Sequence, residues 1–531
     1  MAETKKMLDP DPRVMDFNTE YELGQDNIRP FGLDIHNPVF VISGVVIMGF
    51  VLIALANQEA TAEFFGWLRP FLTSTFDWFL MWAVNIMVVF CFFLALSPLG
   101  KVRIGGKDAK PDYSYAGWIA MLFSAGIGIG LLFFGVLEPM YYSLAELNTL
   151  PLGKDPAIPG NENMGIVGTV YHWAISGWAV YVVVGLSLAI FCYNLGLPLT
   201  LRSAFYPLFG ERVWGWTGHI IDTLAVFATL FGLTTSLGLG AQQIAAGMND
   251  IFGIAPTNTV IVLLIVGITI IALGSVMLGM DAGVKRLSEI NMVMAALLFL
   301  FVILVGPTMA LLGRFFDVMV DYVVNFVPLS IPHGRTDLGY MHGWTTFYWA
   351  WWIAWSPFVG MFIARISRGR TVREFILCVL IAPSLVCALW MAVFGGMALE
   401  QLNDGYTGVK EVVAAYQPEL SLFRMLDQLP LYNIVAPITL ILIIVFFVTS
   451  SDSGSLVIDT ITAGGKMDAP VAQRVFWCTL EGLVAIALLL GGGLNALQGA
   501  AVSTGIPFTI VLLAMCYCLF KALQSEREKI S

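Results

Sequence analysis

The sequence predicts an all-α polytopic membrane protein. Of its 531 residues, 58% are hydrophobic and only 12% are charged, and the mean hydropathy is +0.81. A soluble domain usually carries about 25% charged residues. Twelve apolar runs are long enough to cross about 30 Å of hydrocarbon. They are 38–57, 78–98, 115–146, 165–193, 217–246, 258–280, 288–312, 342–364, 372–398, 431–463, 472–492 and 497–520.

The basic residues predict the orientation of these spans, because Lys and Arg are retained on the cytoplasmic side. With the N-terminus inside, only six of the 27 basic residues fall in outer segments, and the other 21 lie inside. We therefore expect both termini in the cytoplasm. No cleavable signal peptide is visible at the polar N-terminus. The six outer residues are Arg69, Lys154, Arg314, Arg335, Lys410 and Arg424.

The spans divide the chain into six predicted regions. They are an acidic N-terminal tail (1–36), two peripheral membrane helices (37–112), spans three to seven (113–313), a connecting region (314–341), spans eight to twelve (342–520) and a short C-terminal tail (521–531). The connecting region begins with Arg314–Val327, which is too short and too charged to cross the membrane. We interpret it as an amphipathic interfacial helix. It either lies on the membrane or contacts another subunit.

Span three contains three alternate glycines, Gly126, Gly128 and Gly130. Each weakens a helix by about 1 kcal/mol relative to alanine, and its bare backbone can approach a ligand closely. The alternative is close helix packing through small residues. A spacing of two distributes glycines around a helix rather than along one stripe, so the pattern favours local unwinding.

Span ten contains a polar run, Thr449–Ser455, inside an otherwise apolar segment. We expect a second helix break here. Asp452 is an ionisable residue within a span, which indicates function by default, although it could lie solvated near one end. Hydroxyl and main-chain oxygens suit a small cation such as Na⁺. Broken helices near the midplane indicate the binding sites of an inverted-repeat transporter, although these two breaks do not occupy equivalent repeat positions.

Span eight contains four tryptophans in seven residues. At about 100° per residue, Trp351, Trp352 and Trp355 share one helical face, whereas Trp349 lies near the opposite side and is interpreted as structural. Three indoles on one face are consistent with ordinary core packing. They are equally consistent with one wall of a cation-binding cage, because indole is the best cation–π partner.

Span four adds Trp173, Trp178 and Tyr181 on one broad face. Taken alone, such aromatics are typical of an interfacial belt. Together with the Trp-rich span and the glycine break, they predict a cage for a quaternary onium group. Free N–H groups at the glycine break would hold an anionic end of the same ligand. The predicted ligand is therefore an onium zwitterion with a carboxylate.

Over most of residues 35–520, the sequence resembles the betaine/carnitine/choline transporter family. The matching stretches are FSAGIGIGLLFFGVLEP (123–139), HWAISGWAVY (172–181), FYWAWWIAWSPFVGMFIARISRGR (347–370) and FFVTSSDSGS (446–455). The resemblance implies a LeuT-type fold, with 5+5 inverted repeats after two extra N-terminal helices, and a homotrimer.

The resemblance also implies roles for individual residues. The aromatic box would be Trp173, Trp178, Tyr181 and Trp352. Trp351 and Trp355 would line the adjoining cytoplasmic pathway, with Phe358 below them as a gating residue. The glycine segment Ala125, Gly126, Ile127 and Gly128 would meet the substrate carboxylate.

The same comparison bears on ion coupling. One sodium site would use main-chain oxygens of Ser124 and Ile127, the carbonyl of Phe446, and the hydroxyls of Thr449 and Ser450. A second site of some members uses a threonine pair, of which Thr229 matches the first. The second threonine falls on Leu233, which has no side-chain oxygen, so this site is incomplete here. Proton-coupled choline members carry Asp where this chain has Gly130, which favours a carboxylate-bearing zwitterion.

We therefore expect a sodium symporter of the bacterial inner membrane that imports glycine betaine by alternating access. Dimethylsulfoniopropionate fits the same cage. A proton-coupled choline transporter or a sodium-independent carnitine-type exchanger is the alternative within the class. A membrane enzyme or a non-transporting sensor is the alternative from another class, but the five histidines form no HxxxH pair. Besides Na⁺ and membrane lipid, we expect no cofactor and no nucleic-acid partner.

Overall fold

The computed structural model describes residues 17, 19–126, 128–278 and 285–529, and the side chains of 123–126, 278 and 285 lie outside this description. Within these residues the chain forms twenty α-helices and one short antiparallel hairpin of two strands, β1 (Asn27–Ile28) and β2 (Ile35–His36). The helices are α1 (Asn37–Ala56), α2 (Gln58–Thr75), α3 (Asp77–Leu96), α4 (Tyr115–Gly126), α5 (Ile129–Tyr141), α6 (Met164–Trp173), α7 (Ile175–Ala189), α8 (Tyr206–Phe209), α9 (Trp216–Phe252), α10 (Asn258–Leu278), α11 (Lys285–Val305), α12 (Thr308–Ser330), α13 (Leu338–Tyr340), α14 (Thr346–Ile366), α15 (Val372–Asn403), α16 (Gly408–Ala414), α17 (Ser421–Asp427), α18 (Tyr432–Thr462), α19 (Val471–Leu490) and α20 (Gly493–Glu528).

Ten helical segments of the described chain are long and apolar enough to cross a membrane. They are α1, α3, the α6–α7 pair, α9, α10, α11, α15, α18, α19 and α20. The prediction of an all-α protein that crosses the membrane many times is thereby confirmed. The count of twelve also needs the short α4–α5 pair and the Trp-rich α14. That count and the LeuT-type topology therefore stay predictions.

Span three is broken at its glycines, as the sequence predicts. Helix α4 ends at Gly126 and α5 begins at Ile129. Gly128 is fully extended between them, with φ −159° and ψ −169°. The backbone of Gly128 therefore lies outside both helices, in the middle of an apolar span.

The predicted break in span ten is wrong. Helix α18 runs without interruption through Thr449–Ser455. The Thr449 hydroxyl donates to the Val445 carbonyl at 3.0 Å, and the Ser455 hydroxyl donates to the Asp452 carbonyl at 2.9 Å. Hydroxyls satisfied by their own helix do not require it to unwind.

Asp452 is likewise satisfied within the protein rather than by solvent. Its side chain is buried and accepts a hydrogen bond from the Ser275 hydroxyl of α10 at 2.5 Å. The interpretation of Asp452 as a solvated residue at the end of a span is therefore wrong.

Span four contains a break that the sequence did not predict. Helix α6 ends at Trp173 and α7 begins at Ile175, and Ala174 between them has φ −104° and ψ −141°. The break lies between two of the predicted cage residues, Trp173 and Trp178. It redirects the chain there, so a continuous helical wheel does not describe their relative positions.

The amphipathic segment after span seven lies in a longer helix, α12. Its apolar side chains Phe316, Val320 and Val323 are exposed. This agrees with the predicted amphipathic helix, and α12 packs its other side against α6 and α15.

The N-terminal segment is packed on the loop that follows α18. Lys466 makes an ion pair with Asp34 at 2.7 Å, and the Asn27 side chain donates to the Ala463 carbonyl at 2.9 Å. Partial burial opposes ionisation of Asp34, but the hydrogen bonds from Lys466 and Asn27 outweigh it and lower the pKa of that carboxyl. The tail therefore contributes an ordered hairpin to the face that is predicted to be cytoplasmic.

Candidate functional site

The predicted cage residues line one cavity of about 60 Å³ between the helices. Its walls come from α5, α6, α7, α9, α14 and α18, with Gly128 contributing from the break in span three. None of the described residues that line it carries a formal charge. They are Gly128, Ile129, Gly130, Trp173, Trp178, Tyr181, Ser236, Trp351, Trp352, Trp355 and Ser450.

Trp352 lies at the centre of the four box aromatics. Its ring centroid is 5.9 Å from that of Trp173, 5.8 Å from Trp178 and 4.8 Å from Tyr181. The corresponding interplanar angles are 73°, 64° and 48°, so none of these rings stacks flat on another. The structure thus brings together all four aromatics that the resemblance assigns to the box.

A glycine on α7 determines the position of Trp352. A Cβ at Gly177 would lie 2.5 Å from Trp352 Cδ2 and would overlap the neighbouring Cε2. Residue 177 therefore has to be glycine for the indole to lie where it does. The buried Trp352 Nε1 has no hydrogen-bond partner among the described residues. This N–H group is a donor that a ligand could use.

Trp351 and Trp355 continue the aromatic wall along α14. Both indole N–H groups donate to the carbonyl of Gly232 on α9, at 3.2 Å and 2.7 Å. The half-buried Phe358 follows, with its ring centroid 5.3 Å from that of Trp355. Phe358 does not line the cavity itself, which agrees with a position further along a pathway.

The glycine break supplies backbone to the cavity on the side of α5. Gly128, Ile129 and Gly130 all line it. The first N–H groups of a helix lack partners within that helix, and they carry partial positive charge. A Cβ at Gly130 would overlap Trp173 Cη2, so this glycine also allows Trp173 to approach α5.

The other members of the predicted carboxylate segment precede Gly128 in the chain. Ala125 and Gly126 belong to the last turn of α4. Ile127 lies outside the described residues, as do the side chains of Ser124 and Ala125.

The described part of the predicted sodium site lies on α18 beside the cavity. Ser450 lines the cavity and Thr449 is buried one residue earlier. The Thr449 hydroxyl donates within its own helix, to Val445 or Phe446, and accepts a hydrogen bond from the Asn291 side chain of α11 at 3.1 Å. Phe446, Thr449 and Ser450 thus offer hard oxygen ligands in one stretch of helix. Sequence reasoning missed Asn291, although a lone Asn in the apolar α11 was a visible signal.

The second predicted ion site has an apolar side chain where its second threonine is expected. Thr229 is buried on α9 and its hydroxyl has no hydrogen-bond partner among the described residues. Leu233, one turn later, fills the space beside Gly454, where a Cβ would overlap Leu233 Cδ2. The Thr234 hydroxyl donates to the Phe231 carbonyl of its own helix at 3.2 Å. Thr229 therefore has no second threonine to act with.

Sequence reasoning also missed a buried polar cluster behind the cage. Glu138 of α5 is completely buried and accepts a hydrogen bond from Trp173 Nε1 at 2.8 Å. Tyr348 and His172 contact the same carboxyl group. A carboxylate within an apolar span was a sufficient signal to single out Glu138. Its partners, from α6 and α14, could not be identified without the fold.

Comparison with known proteins places the sequence among membrane transporters. A family model described as betaine/carnitine/choline family transporter matches residues 38–528. The chain is 57% identical to a glycine betaine/proline/choline transporter of Vibrio parahaemolyticus, over 97% of this chain and 96% of that protein. It is 52% identical to glycine betaine transporter 1 of the same organism, over 96% and 98% of the two chains. Identity to the glycine betaine transporter OpuD of Bacillus subtilis is 39%, over 93% and 95%.

Proposed function

The chain belongs to the betaine/carnitine/choline transporter family, and we propose that it is a sodium-coupled importer of glycine betaine. It is accordingly a transporter and not an enzyme. The observation that carries the choice of substrate is the single cavity lined by Trp173, Trp178, Tyr181 and Trp352.

The chemistry of this cavity suits a permanent, fully methylated cation. A quaternary ammonium group can neither donate a hydrogen bond nor lose its charge. Aromatic faces replace part of its hydration, and each desolvated cation–π contact contributes about 2 kcal/mol. A zwitterion brings its own carboxylate, so its binding requires no charged residue among those that line the cavity.

The carboxylate of the zwitterion has two kinds of donor within the cavity. The free N–H groups at the start of α5 form a positive helix end, and Gly128 and Gly130 expose this backbone to the cavity. The unpartnered Trp352 Nε1 is a further donor. We propose that the carboxylate binds at the glycine break while the onium head occupies the box.

Sodium would bind at the oxygens of Phe446, Thr449 and Ser450, completed by main-chain oxygens of Ser124 and Ile127. Because Ser450 also lines the substrate cavity, ion and substrate would bind side by side and each would favour the other. We propose alternating access as the transport mechanism. A homotrimer in the bacterial inner membrane, with both termini cytoplasmic, rests on the family resemblance and on the basic residues.

Proton-coupled choline transport is the second candidate. The Vibrio relative with 57% identity is named for proline and choline as well as glycine betaine, so both belong in any substrate test. Proton coupling through an acidic residue at position 130 is disfavoured, because a side chain there would overlap Trp173. An acidic residue in place of Gly130 would require a differently arranged cage.

The test is uptake by purified protein in proteoliposomes. Labelled glycine betaine, dimethylsulfoniopropionate, choline, carnitine and proline are offered under an inward sodium gradient, an inward proton gradient or neither. We expect glycine betaine to accumulate under the sodium gradient. Accumulation driven only by the proton gradient would overturn the proposed sodium coupling. Exchange only against internal substrate would indicate an exchanger. The absence of glycine betaine flux in every condition would refute the proposed function.

A further inference from the structure

Glu138 contacts the aromatic box from behind, outside the cavity lining. We infer that the negative charge of Glu138, acting through Trp173, makes the cage selective for a positively charged headgroup over an uncharged group of the same shape. This inference rests on the proposed function. Glu138 would then be a specificity-determining residue that does not touch the substrate.

The contacts of Glu138 tie it directly to a wall of the cage. Its Oε1 accepts hydrogen bonds from the Trp173 indole and from the Tyr348 hydroxyl. Trp173 lines the cavity, and Tyr348 does not. One indole therefore separates the carboxyl group from the space that the onium head would occupy.

Hydrogen-bonding groups contact both oxygens of the carboxyl group. An indole N–H can only donate, so Oε1 accepts there. At the other oxygen, Oε2, His172 Nδ1 lies 3.2 Å away. His172 Nε2 is 2.9 Å from the Thr345 hydroxyl. With the proton on Nδ1, His172 donates to Glu138 and accepts from Thr345, so the imidazole is neutral and every hydrogen bond is satisfied.

No Lys or Arg among the described residues forms an ion pair with Glu138, and its salt-bridge partner His172 is neutral in the tautomer described above. The charged neighbour Arg335 is paired with Asp337 at 2.6 Å, and both are buried. With Glu138 ionised and His172 neutral, the cluster has a net negative charge. Through the hydrogen bond this charge polarises Trp173 and increases the negative potential on the indole face.

The size of the effect follows from Coulomb's law. For two unit charges about 9 Å apart at an effective dielectric of about 20, the Coulomb energy corresponds to a roughly 20-fold change in affinity, and we take this as the scale for charges separated by one indole. Burial of the carboxyl group keeps salt from screening this interaction.

Glycine betaine and 3,3-dimethylbutanoate form a matched pair of probes. They have the same shape and the same carboxylate, but a neutral carbon replaces the quaternary nitrogen in the second. Their relative affinity for purified protein is measured by competition against labelled glycine betaine. Glu138→Gln keeps the size and an accepting oxygen but removes the charge, so we expect the preference for glycine betaine to fall roughly 20-fold.

Two further variants separate charge from structure. Tyr348→Phe removes one hydrogen bond to the same carboxylate and keeps the charge, so the preference should stay within about threefold of wild type. Glu138→Asp keeps the charge and moves it, and it should also retain most of the preference. It serves as the test if Glu138→Gln does not fold, because a purely structural role predicts that Asp loses the preference.

The outcomes distinguish this inference from the proposed function. If wild-type protein binds no glycine betaine, the proposed function fails. Suppose instead that wild type binds glycine betaine and that Glu138→Gln keeps the wild-type preference for it over 3,3-dimethylbutanoate. The charge of Glu138 then does not determine selectivity, and the inference is overturned. It is equally overturned if Tyr348→Phe or Glu138→Asp loses the preference as fully as Glu138→Gln does.

Discussion

Replacing Gly177 with alanine tests whether the position of Trp352 determines substrate affinity. The added Cβ would lie 2.5 Å from Trp352 Cδ2, whereas ordinary van der Waals contact begins at 3.4 Å. The indole would have to move by at least about 0.9 Å, the difference between these two values, because Cε2 lies closer still. Tyr181 and Trp178 surround it at 4.8 Å and 5.8 Å between centroids, so the displacement disturbs the whole box.

Overpacking of this kind costs about 1–3 kcal/mol, and each 1.36 kcal/mol is a factor of ten. We therefore expect Gly177→Ala to raise the KM for glycine betaine uptake about tenfold or more. Initial rates of labelled uptake into proteoliposomes, over a range of substrate concentrations, measure this. Gly267→Ala is the matched control, because a Cβ at Gly267 of α10 would meet no atom within 4 Å.

If Gly177→Ala transports with the KM of wild type at equal protein levels, the position of Trp352 does not determine substrate affinity. The same conclusion follows if Gly267→Ala raises KM as much, because the effect would then reflect any added methyl group in a membrane helix. A second change, Trp352→Phe, should partly restore the Gly177→Ala variant, since the smaller ring leaves room for the new Cβ.

Two other predictions concern ion coupling and stability. The double variant Thr449→Ala/Ser450→Ala removes two hydroxyl ligands of the proposed sodium site, so the sodium concentration for half-maximal uptake should rise at least tenfold; an unchanged sodium dependence would contradict the site. Asp222 pairs with Arg202 at 2.5 Å, and both side chains are fully buried. Asp222→Ala leaves the guanidinium uncompensated at a cost of about 3–5 kcal/mol, so the thermal midpoint in detergent should fall by several degrees. Asp112→Asn, at an exposed ion pair, should leave that midpoint unchanged.

Periodicity predicted the tryptophan wall of the site because that wall lies on a single helix. Trp351, Trp352 and Trp355 share a face of the uninterrupted α14, and all three line the cavity. The glycine break in span three was predictable because alternate glycines remove side chains as well as helix propensity. Local pattern suffices where one helix determines the geometry.

The predicted helix break in span ten was wrong because the sequence does not show the hydrogen-bond partners of its polar residues. Thr449 and Ser455 bond to their own helix, and Asp452 bonds to Ser275 of α10. A polar run therefore does not by itself break a helix. Only the packing of α10 against α18 reveals where the carboxylate finds its partner.

Contacts between sequence-distant residues also explain what could not be predicted at the cage. Gly177 has to be glycine because of Trp352, and Glu138 matters because it bonds to Trp173 and Tyr348. Neither relation leaves a periodic signal, since each joins residues from different helices. The break at Ala174 likewise has no glycine or proline to indicate it.

Equilibrium binding of labelled glycine betaine to purified wild type and to Trp352→Ala tests the central claim most directly. Trp352 contacts all three other aromatics of the box, so its removal takes away the common wall. We expect saturable binding by wild type and at least a hundredfold weaker binding by Trp352→Ala, at an unchanged elution profile in size-exclusion chromatography. Equal affinity of the two folded proteins would show that the onium head binds elsewhere than in the aromatic box.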